Sequence, residues 1–244
     1  MEHWEAIRPG GCRFVWDEDC FRPGTDTFAL ASVPRLRPGM RVCDLGCGTG
    51  LLSLLLLERE PDLAVTGVEL QPYAAALCRR ATAENGLEGR LTVLEGDIRR
   101  IRELLPAGRF DLVVSNPPYY PVGSGRLPAG DALRRARSED GCTLAQVCAA
   151  AAYLLRWGGK FCLVHKPERL TDVFCALREA GLEPKGLRSV CPRPERPPSL
   201  VLIEAARGGR PGLDFRAPLI LQTDSGAPTA EADAIYFRQQ EDMP

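Results

Sequence analysis

The sequence predicts an α/β fold with a doubly wound, mostly parallel sheet. Short β-rich apolar runs alternate along the chain with helical patterns, which is the rhythm of βαβ units. A glycine-rich turn, GCGTG, follows the first strand and opens the first helix. Two late strands are joined only by the proline-rich turn PRPERPP, so they predict an antiparallel pair at one edge of the sheet.

The first half of the chain supplies four strands after a lead-in over residues 1–39, irregular and punctuated by Gly and Pro up to residue 27. The strands are MRVCDL (40–45), LAVTGVEL (63–70), RLTVLEG (90–96) and RFDLVVSN (109–116). The helices between them are LLSLLLLERE (51–60), PYAAALCRRATAEN (72–85) and the short IRELL (101–105). The second of these helices begins at Pro72 and stops near Gly86, which are ordinary helix boundaries.

The second half begins with a long segment, 117–141, that has no sustained periodicity. Loops of that length in compact domains are usually functional or disordered. Helices are predicted at 143–157 and 167–181, and strands at 160–165, 185–191 and 199–206, with a short further strand at 217–222. We expect residues 1–222 to form one domain with its core sheet at 40–206, and residues 223–244 to be a polar acidic tail.

Composition places the chain among ordinary globular proteins. Its 244 residues are 45% hydrophobic and 26% charged, which excludes a disordered, collagenous or coiled-coil chain. There is no apolar run near the roughly 20 residues of a membrane span, and the N-terminus lacks the apolar core of a signal peptide. The ten cysteines form no CxxC pair. We therefore expect a cytoplasmic monomer with reduced cysteines that binds neither a membrane nor a metal.

The charges are unevenly distributed, although the formal net charge is only −1. Residues 99–216 carry 20 Lys and Arg against 12 Asp and Glu, while residues 1–98 carry 10 against 15. Residues 224–244 carry one Arg and five acids. The basic excess fits two interpretations: a face that binds an anionic polymer such as RNA, or an ordinary solvated surface.

The glycine-rich turn Asp44-Leu45-Gly46-Cys47-Gly48-Thr49-Gly50 predicts a cofactor site. Glycines let the backbone take positive φ and approach a ligand closely, and free N–H groups at a helix start face it. The pattern is G-x-G-x-G rather than the dinucleotide pattern G-x-G-x-x-G, and an acid precedes it. An acid there repels pyrophosphate but suits the positive charge of S-adenosylmethionine.

Two more acids lie where strands end, which is where ligands bind in such sheets. Glu69 can accept hydrogen bonds from both ribose hydroxyls, Leu70 can pack on the adenine, and Asp97 can accept from its exocyclic amine. A glycine turn with helix-capping acids is the alternative interpretation. The predicted cofactor-binding residues are Asp44, Gly46, Cys47, Gly48, Gly50, Glu69, Leu70, Asp97, Ile98 and Asn116.

The motif Asn116-Pro117-Pro118-Tyr119 follows the fourth strand and enters the same crevice, so these four residues are the predicted catalytic residues. A conjugated amine is a poor nucleophile because its lone pair is delocalised. Acceptors such as the Asn116 side-chain oxygen and the Pro117 carbonyl would draw it toward tetrahedral geometry. Tyr119 offers a ring for stacking an extruded base, and no general base is required before attack. The alternative is a strand-to-loop turn with a buried tyrosine.

Together, DLGCGTG, Glu69, Asp97 and NPPY resemble the class I S-adenosylmethionine-dependent methyltransferases that act on amino groups. That group includes adenine N6 methyltransferases of DNA and RNA and enzymes that methylate glutamine in release factors. Four more segments are similar to the bacterial family that methylates adenine 37 of a valine tRNA, beside the anticodon. They are FRPGTDTFALAS (21–32), LVHKPERLTDV (163–173), SLVLIEAARGG (199–209) and APLIL (217–221). The similarity covers about residues 20–222.

The resemblance implies a seven-stranded, Rossmann-like sheet whose last strand is antiparallel. It implies S-adenosylmethionine as cofactor, tRNA as partner, and adenine N6 methylation as the activity. It also places Gly24, Thr25 and Asp26 near the methionine end of the cofactor or the substrate amine. The predicted substrate-binding residues are Asp26, Tyr119, Arg126, Arg137, Lys166 and Arg169, with Arg134 and Arg135 as further RNA-facing groups.

Three other functions stay open at this point. Protein-glutamine methyltransferases share NPPY, although they carry a helical domain before the glycine turn and a peptide substrate needs no basic face. Ribosomal RNA base methyltransferases share the NPP turn. A cofactor-binding RNA module without turnover would have no use for an amine-polarising turn. His165, at the end of an apolar strand, is expected to be a hydrogen-bonded polar residue rather than a base.

Overall fold

The computed structural model describes residues 1–18, 23–117, 119 and 142–238. The strands are β1 (Glu2–Ala6), β2 (Arg13–Asp17), β3 (Arg41–Leu45), β4 (Ala64–Glu69), β5 (Leu91–Glu95), β6 (Phe110–Ser115), β7 (Leu155–His165), β8 (Leu182–Cys191), β9 (Leu200–Arg207) and β10 (Asp214–Ile220). The helices are α1 (Thr25–Ala31), α2 (Leu51–Arg59), α3 (Pro72–Glu84), α4 (Ile101–Leu104), α5 (Leu144–Leu154), α6 (Leu170–Glu179) and α7 (Ala230–Ile235). Short 3-10 turns cover Ile98–Arg100 and Pro167–Arg169.

The central sheet has the strand order β10-β8-β9-β7-β6-β3-β4-β5. Its pairs are parallel except for those of β9, which runs antiparallel to both β7 and β8. The predicted doubly wound, mostly parallel sheet with an antiparallel strand is therefore confirmed. The sheet has eight strands rather than seven, because β10 pairs in parallel with β8 from Asp214 to Ile220 and covers the unpaired backbone groups of that edge.

Two hydrophobic clusters pack on the sheet. One cluster gathers side chains from α1, α2 and α3, including Leu30, Leu54 and Leu77. The other gathers side chains from α4, α5 and α6. Successive strand residues alternate between the clusters, so Val42 joins the first and Cys43 the second. The sheet and the helices packed on its two faces therefore form three layers. This packing holds the carboxyl ends of the strands in fixed positions relative to one another.

The N-terminal segment is more regular than the sequence suggested. Where an irregular lead-in was expected, β1 and β2 form an antiparallel hairpin. The hairpin is attached to the end of α3, since the Arg13 backbone N–H donates to Asn85 Oδ1 at 2.7 Å and the Arg13 guanidinium pairs with Glu84 at 2.7 Å. These partners are about 70 residues away in the chain, and a local sequence pattern carries no signal for such contacts.

The boundary between α5 and β7 also differs from the prediction. The helix ends at Leu154 and the strand already begins at Leu155, which pairs with Phe110 of β6. The predicted helix continued to Trp157 and the predicted strand began at Lys160. Residues 155–157 continue the helical sequence pattern, but pairing with β6 places them in the strand. Gly158 follows them with φ +77°.

The segment beginning at residue 223, which the sequence presents as a polar acidic tail, contains the helix α7. The Thr229 hydroxyl caps it by accepting from the Ala232 N–H at 3.1 Å, and Ala232 is buried. Glu231 pairs with Arg188 of β8 at 2.7 Å. This segment is thus packed on the rest of the fold up to residue 238, the last one described.

Among the described residues, no helix is both long enough and apolar enough to cross a membrane.

The Thr143 cap provides a test of how α5 is stabilised. The Thr143 hydroxyl accepts from the Gln146 N–H at 3.3 Å, and the Gln146 side chain accepts from the Thr143 N–H at 2.9 Å. We expect Thr143→Ala to lower the free energy of unfolding by about 1 kcal/mol because this capping box is lost. Urea titration measures it, and Thr143→Ser, which keeps the hydroxyl, is the matched control. Equal losses in both variants would contradict the capping explanation.

Candidate active site

The glycine turn between β3 and α2 leaves space above its backbone. Gly46, Gly48 and Gly50 all have positive φ, at 75°, 55° and 91°. A Cβ at Gly46 or Gly48 would meet no atom within 4 Å, whereas one at Gly50 would collide with the Cys78 thiol of α3. Open space therefore lies over the first two glycines, while the third is required for close packing of two helices. The Cys47 side chain is buried in the core, so only its backbone can face a ligand.

Glu69, at the end of β4, is a buried carboxylate with two backbone partners. Its Oε2 accepts from the Gly48 N–H at 2.9 Å and its Oε1 accepts from the Gln71 N–H at 2.8 Å. Burial raises the pKa of this carboxyl in spite of these bonds. The next side chain, Leu70, is 47% exposed, which leaves an apolar surface beside the carboxylate.

Asp44, at the carboxyl end of β3, is 1% exposed. Its Oδ2 accepts from the Ser53 hydroxyl of α2 at 2.8 Å. Burial raises the pKa of Asp44 to about 7, and the neighbouring charge of Glu69 acts in the same direction. Ser53 was not predicted from the sequence. A single hydroxyl inside the leucine run LLSLLLLE is the signal that could have found it, since a buried hydroxyl needs a partner.

Asp97 lies after β5 and is fixed by Arg99. It accepts from the Arg99 N–H at 2.9 Å and pairs with the Arg99 guanidinium at 2.5 Å. The side-chain hydrogen bond from Arg99 lowers the pKa of Asp97, so the carboxyl is ionised at neutral pH. Ile98, the next residue, is partly buried and packs against the second cluster.

Asn116, directly after β6, is held on both sides of its amide. Its Nδ2 donates to the Thr27 hydroxyl of α1 at 3.2 Å, and its Oδ1 accepts from the Tyr119 hydroxyl at 2.6 Å. The same Tyr119 hydroxyl lies 2.8 Å from the Asp26 Oδ2. Since one hydroxyl has one proton, it can donate to only one of these acceptors at a time.

The Tyr119 ring is enclosed by the turn that follows β7. It is 9% exposed, with the Lys166 Nζ 5.4 Å from its centre and the His165 ring edge-on at 5.4 Å. The Arg169 guanidinium donates to the Tyr119 carbonyl at 3.2 Å. Lys166 and Arg169, which the sequence assigned to RNA contact, therefore also touch the NPPY turn itself.

His165 is fully buried at the end of β7. Its Nδ1 accepts from the Lys166 N–H at 2.9 Å, while its Nε2 has no hydrogen-bond partner within the part of the chain that is described. Burial lowers the pKa of His165 to about 4, so the ring is neutral at pH 7. A neutral ring whose acceptor nitrogen is already engaged is a poor base, as the sequence suggested.

The structure brings five of the predicted site residues into contact with one another. Asp26, Asn116, Tyr119, Lys166 and Arg169 form one contiguous group beside the glycine turn. Thr27 also belongs to this group. It was not predicted from the sequence, and the signal that could have found it is its place one residue after Asp26 on a short helix. The predicted residues Pro118, Arg126, Arg134, Arg135 and Arg137 lie outside the described residues. No group of three or more His, Cys, Asp and Glu side chains arranged to hold a metal occurs in the described part of the chain.

Comparison with known proteins shows consistent similarities. Residues 18–174 match the family model of the methyltransferase small domain. A tRNA1(Val) (adenine(37)-N6)-methyltransferase of Porphyromonas gingivalis is 34% identical over 190 residues, which cover 75% of this chain and 73% of the relative. Another of that name, from Dickeya chrysanthemi, is 30% identical over 235 residues and covers 92% and 91%. The solved structure of a predicted O-methyltransferase of Agrobacterium tumefaciens has a TM-score of 0.71 and 27% identity, covering 88% of this chain and 96% of that one.

The raised pKa of Asp44 predicts a pH dependence of stability. A folded-state pKa of about 7, above the ordinary value of 3.8, means that the folded chain binds the proton more tightly between these pH values. The free energy of unfolding of the wild type should therefore fall relative to that of Asp44→Asn as pH rises from about 4 to about 7, by roughly 2–4 kcal/mol.

Urea titrations at several pH values measure this difference. Asp224→Asn, at an exposed position outside the site, is the control and should follow the wild type. Parallel pH profiles for wild type and Asp44→Asn would contradict the prediction.

Proposed function

This chain belongs to the methyltransferase small domain family, and from that premise we propose that it transfers a methyl group from S-adenosylmethionine to the N6 amine of an adenine in tRNA, near the anticodon. The names of the relatives from Porphyromonas gingivalis and Dickeya chrysanthemi support this substrate. The observation that carries the proposal is the Asn116 amide, fixed by Thr27 and Tyr119 at the strand end beside the glycine turn.

The residues of the cofactor site fit S-adenosylmethionine. This cofactor supplies an electrophilic methyl group on a positively charged sulfur. The open space over Gly46 and Gly48 admits a ligand close to the backbone. Each Glu69 oxygen has one bond to a backbone N–H and keeps capacity to accept a ribose hydroxyl. The buried Asp44 carboxylate suits a cationic ligand, since a positive charge nearby favours its ionised form.

The adenine end of the cofactor would lie between the ends of β4 and β5. The exposed Leu70 offers an apolar surface for the purine, and Ile98 lies at the end of the adjacent strand. Asp97, kept ionised by Arg99, can accept from the exocyclic amine. The pairing with Arg99 also orients the Asp97 carboxylate before the ligand arrives.

The substrate amine would be bound by the NPPY turn. The Asn116 Oδ1 and the Pro117 carbonyl would accept hydrogen bonds from the two N–H groups of the amine. These bonds would localise the lone pair on the nitrogen and direct it toward the methyl group. Because the Tyr119 hydroxyl can donate either to Asn116 or to Asp26, the Asn116 oxygen is released when that proton turns to Asp26. Catalysis then consists of positioning and electrostatic stabilisation, with the product ammonium losing its proton to water or to these acceptors.

Lys166 and Arg169 have two roles in this proposal. As cations at the rim of the site they attract the phosphate backbone of RNA. Their contacts with Tyr119 also hold the NPPY turn, and stacking of a substrate base would require the Lys166 ammonium to leave the ring face. The basic excess of residues 99–216 favours an RNA substrate over a peptide.

Methyl transfer from labelled S-adenosylmethionine tests the proposal directly. Total tRNA, ribosomal RNA and a release-factor protein are offered in parallel, and the labelled product is digested to nucleosides or amino acids. We expect label in tRNA as N6-methyladenosine. Label only in protein would place the chain among the glutamine methyltransferases, and label only in ribosomal RNA would overturn the tRNA assignment.

Asn116→Ala should lower kcat on tRNA at least about a hundredfold, because one acceptor for the transition state is lost. Steady-state kinetics at saturating tRNA and cofactor provide the measurement. Gln222→Ala, which removes an exposed amide away from the site, is the control. Full activity in Asn116→Ala with an unchanged melting temperature would show that the proposed mechanism is wrong.

Arg169→Gln should lower kcat about tenfold, because the charged donor to the Tyr119 carbonyl is lost. Arg178→Gln, on the same helical segment and 62% exposed, is the matched control with unchanged kcat. If Arg169→Gln changes only the KM for tRNA and its salt dependence, the arginine contacts RNA without holding the turn.

A further inference from the structure

We propose that Tyr236, near the C-terminus, is a positioning residue for methyl transfer: it holds the first turn of α1, and α1 in turn holds Asn116 and Tyr119. This inference rests on the proposed function for its kinetic test, but the contacts that carry it are independent of the substrate. It gives a role to the acidic C-terminal segment, for which the sequence alone offered none.

Tyr236 contacts α1 through both its hydroxyl and its ring. The hydroxyl donates to the Thr25 Oγ1 at 2.7 Å, which joins residues 211 positions apart in the chain. The ring packs against the Phe28 ring with a centroid distance of 4.9 Å. Thr25 and Phe28 are three residues apart and lie on one face of the helix. Tyr236 therefore contacts that face at two points.

The first turn of α1 needs such support. The helix has only seven residues, and its N-cap residue is Gly24, which provides no side-chain cap. Short helices are marginal unless tertiary contacts stabilise them. Tyr236 supplies contacts of that kind at the end of the helix where capping is missing.

The C-terminal segment is itself attached to the sheet, so it can act as a fixed support. The Thr229 hydroxyl donates to the Ile220 carbonyl at 2.6 Å, at the end of β10. Glu231 pairs with Arg188 of β8. The Arg238 guanidinium lies 4.8 Å from the centre of the Tyr236 ring. The position of Tyr236 is therefore set by the edge of the central sheet.

The other side of the same helical turn contacts the NPPY motif. Thr27 accepts from the Asn116 amide at 3.2 Å and Asp26 accepts from the Tyr119 hydroxyl at 2.8 Å. The residues that Tyr236 touches, Thr25 and Phe28, directly flank these two. A displacement of the first turn of α1 would therefore move both partners of the motif at once.

The test combines Tyr236→Phe, which keeps the ring and removes the hydroxyl, with Thr25→Val, which removes the acceptor at similar volume. Each single variant should lower kcat on tRNA about fivefold with little change in the melting temperature, and Tyr236→Phe should leave the KM for S-adenosylmethionine unchanged. The double variant should be no slower than either single variant, because both remove the same bond. Tyr153→Phe, which removes the hydroxyl of a tyrosine on α5, is the matched control.

A second readout does not depend on the substrate. The side-chain amide signals of Asn116 in an NMR spectrum, assigned by their loss in Asn116→Ala, should shift in Tyr236→Phe and in Thr25→Val but not in Tyr153→Phe. If the wild type fails to methylate tRNA while these signals shift as expected, the proposed function fails and the positioning role stands.

Two results would overturn the positioning role. One is an unchanged kcat together with unchanged Asn116 signals in Tyr236→Phe. The other is a lowered kcat accompanied by a lowered melting temperature and additive losses in the double variant, which would show general destabilisation in place of a specific contact.

Discussion

Glu69 joins three consecutive connections of the sheet, two through its buried carboxylate and one through its backbone carbonyl, and the geometry of the site depends on it. Its side chain accepts from the Gly48 N–H of the glycine turn and from the Gln71 N–H at the start of α3, while its backbone carbonyl accepts from the Gly96 N–H after β5. Burying a carboxylate is costly, and these N–H partners offset part of the cost. The glycine turn is thereby fixed relative to the connections that follow β4 and β5.

Two buried acids side by side make this region sensitive to charge. Burial raises the pKa of both Asp44 and Glu69, and the nearby charge of Glu69 raises the pKa of Asp44 further. A cationic ligand placed near these two acids would favour their ionised forms. Asp97 differs because Arg99 already pairs with it.

The NPPY turn is held by parts of the chain that lie far apart in sequence. Helix α1 contacts the Asn116 amide and the Tyr119 hydroxyl, and the turn after β7 contacts the Tyr119 ring and carbonyl. The C-terminal segment contacts α1 through the hydrogen bond between Tyr236 and Thr25. A planar amine must be met by acceptors at defined positions, and rigid support for those acceptors is what electrostatic catalysis requires. The same supports enclose the Tyr119 ring, which is 9% exposed.

The amino-acid sequence predicts the strands and helices from β3 to β10, the glycine turn and the strand-end positions of Asp44, Glu69, Asp97 and Asn116, because these follow from local periodicity and from residues with special backbone properties. It could not show that Ser53 bonds to Asp44, that β1 and β2 form a hairpin on α3, or that Tyr236 reaches Thr25. Those features arise from contacts between distant residues, whose side chains carry no local pattern. The contact of Lys166 and Arg169 with Tyr119 is visible only in the folded protein, since it needs the ends of β6 and β7 to lie side by side in the sheet.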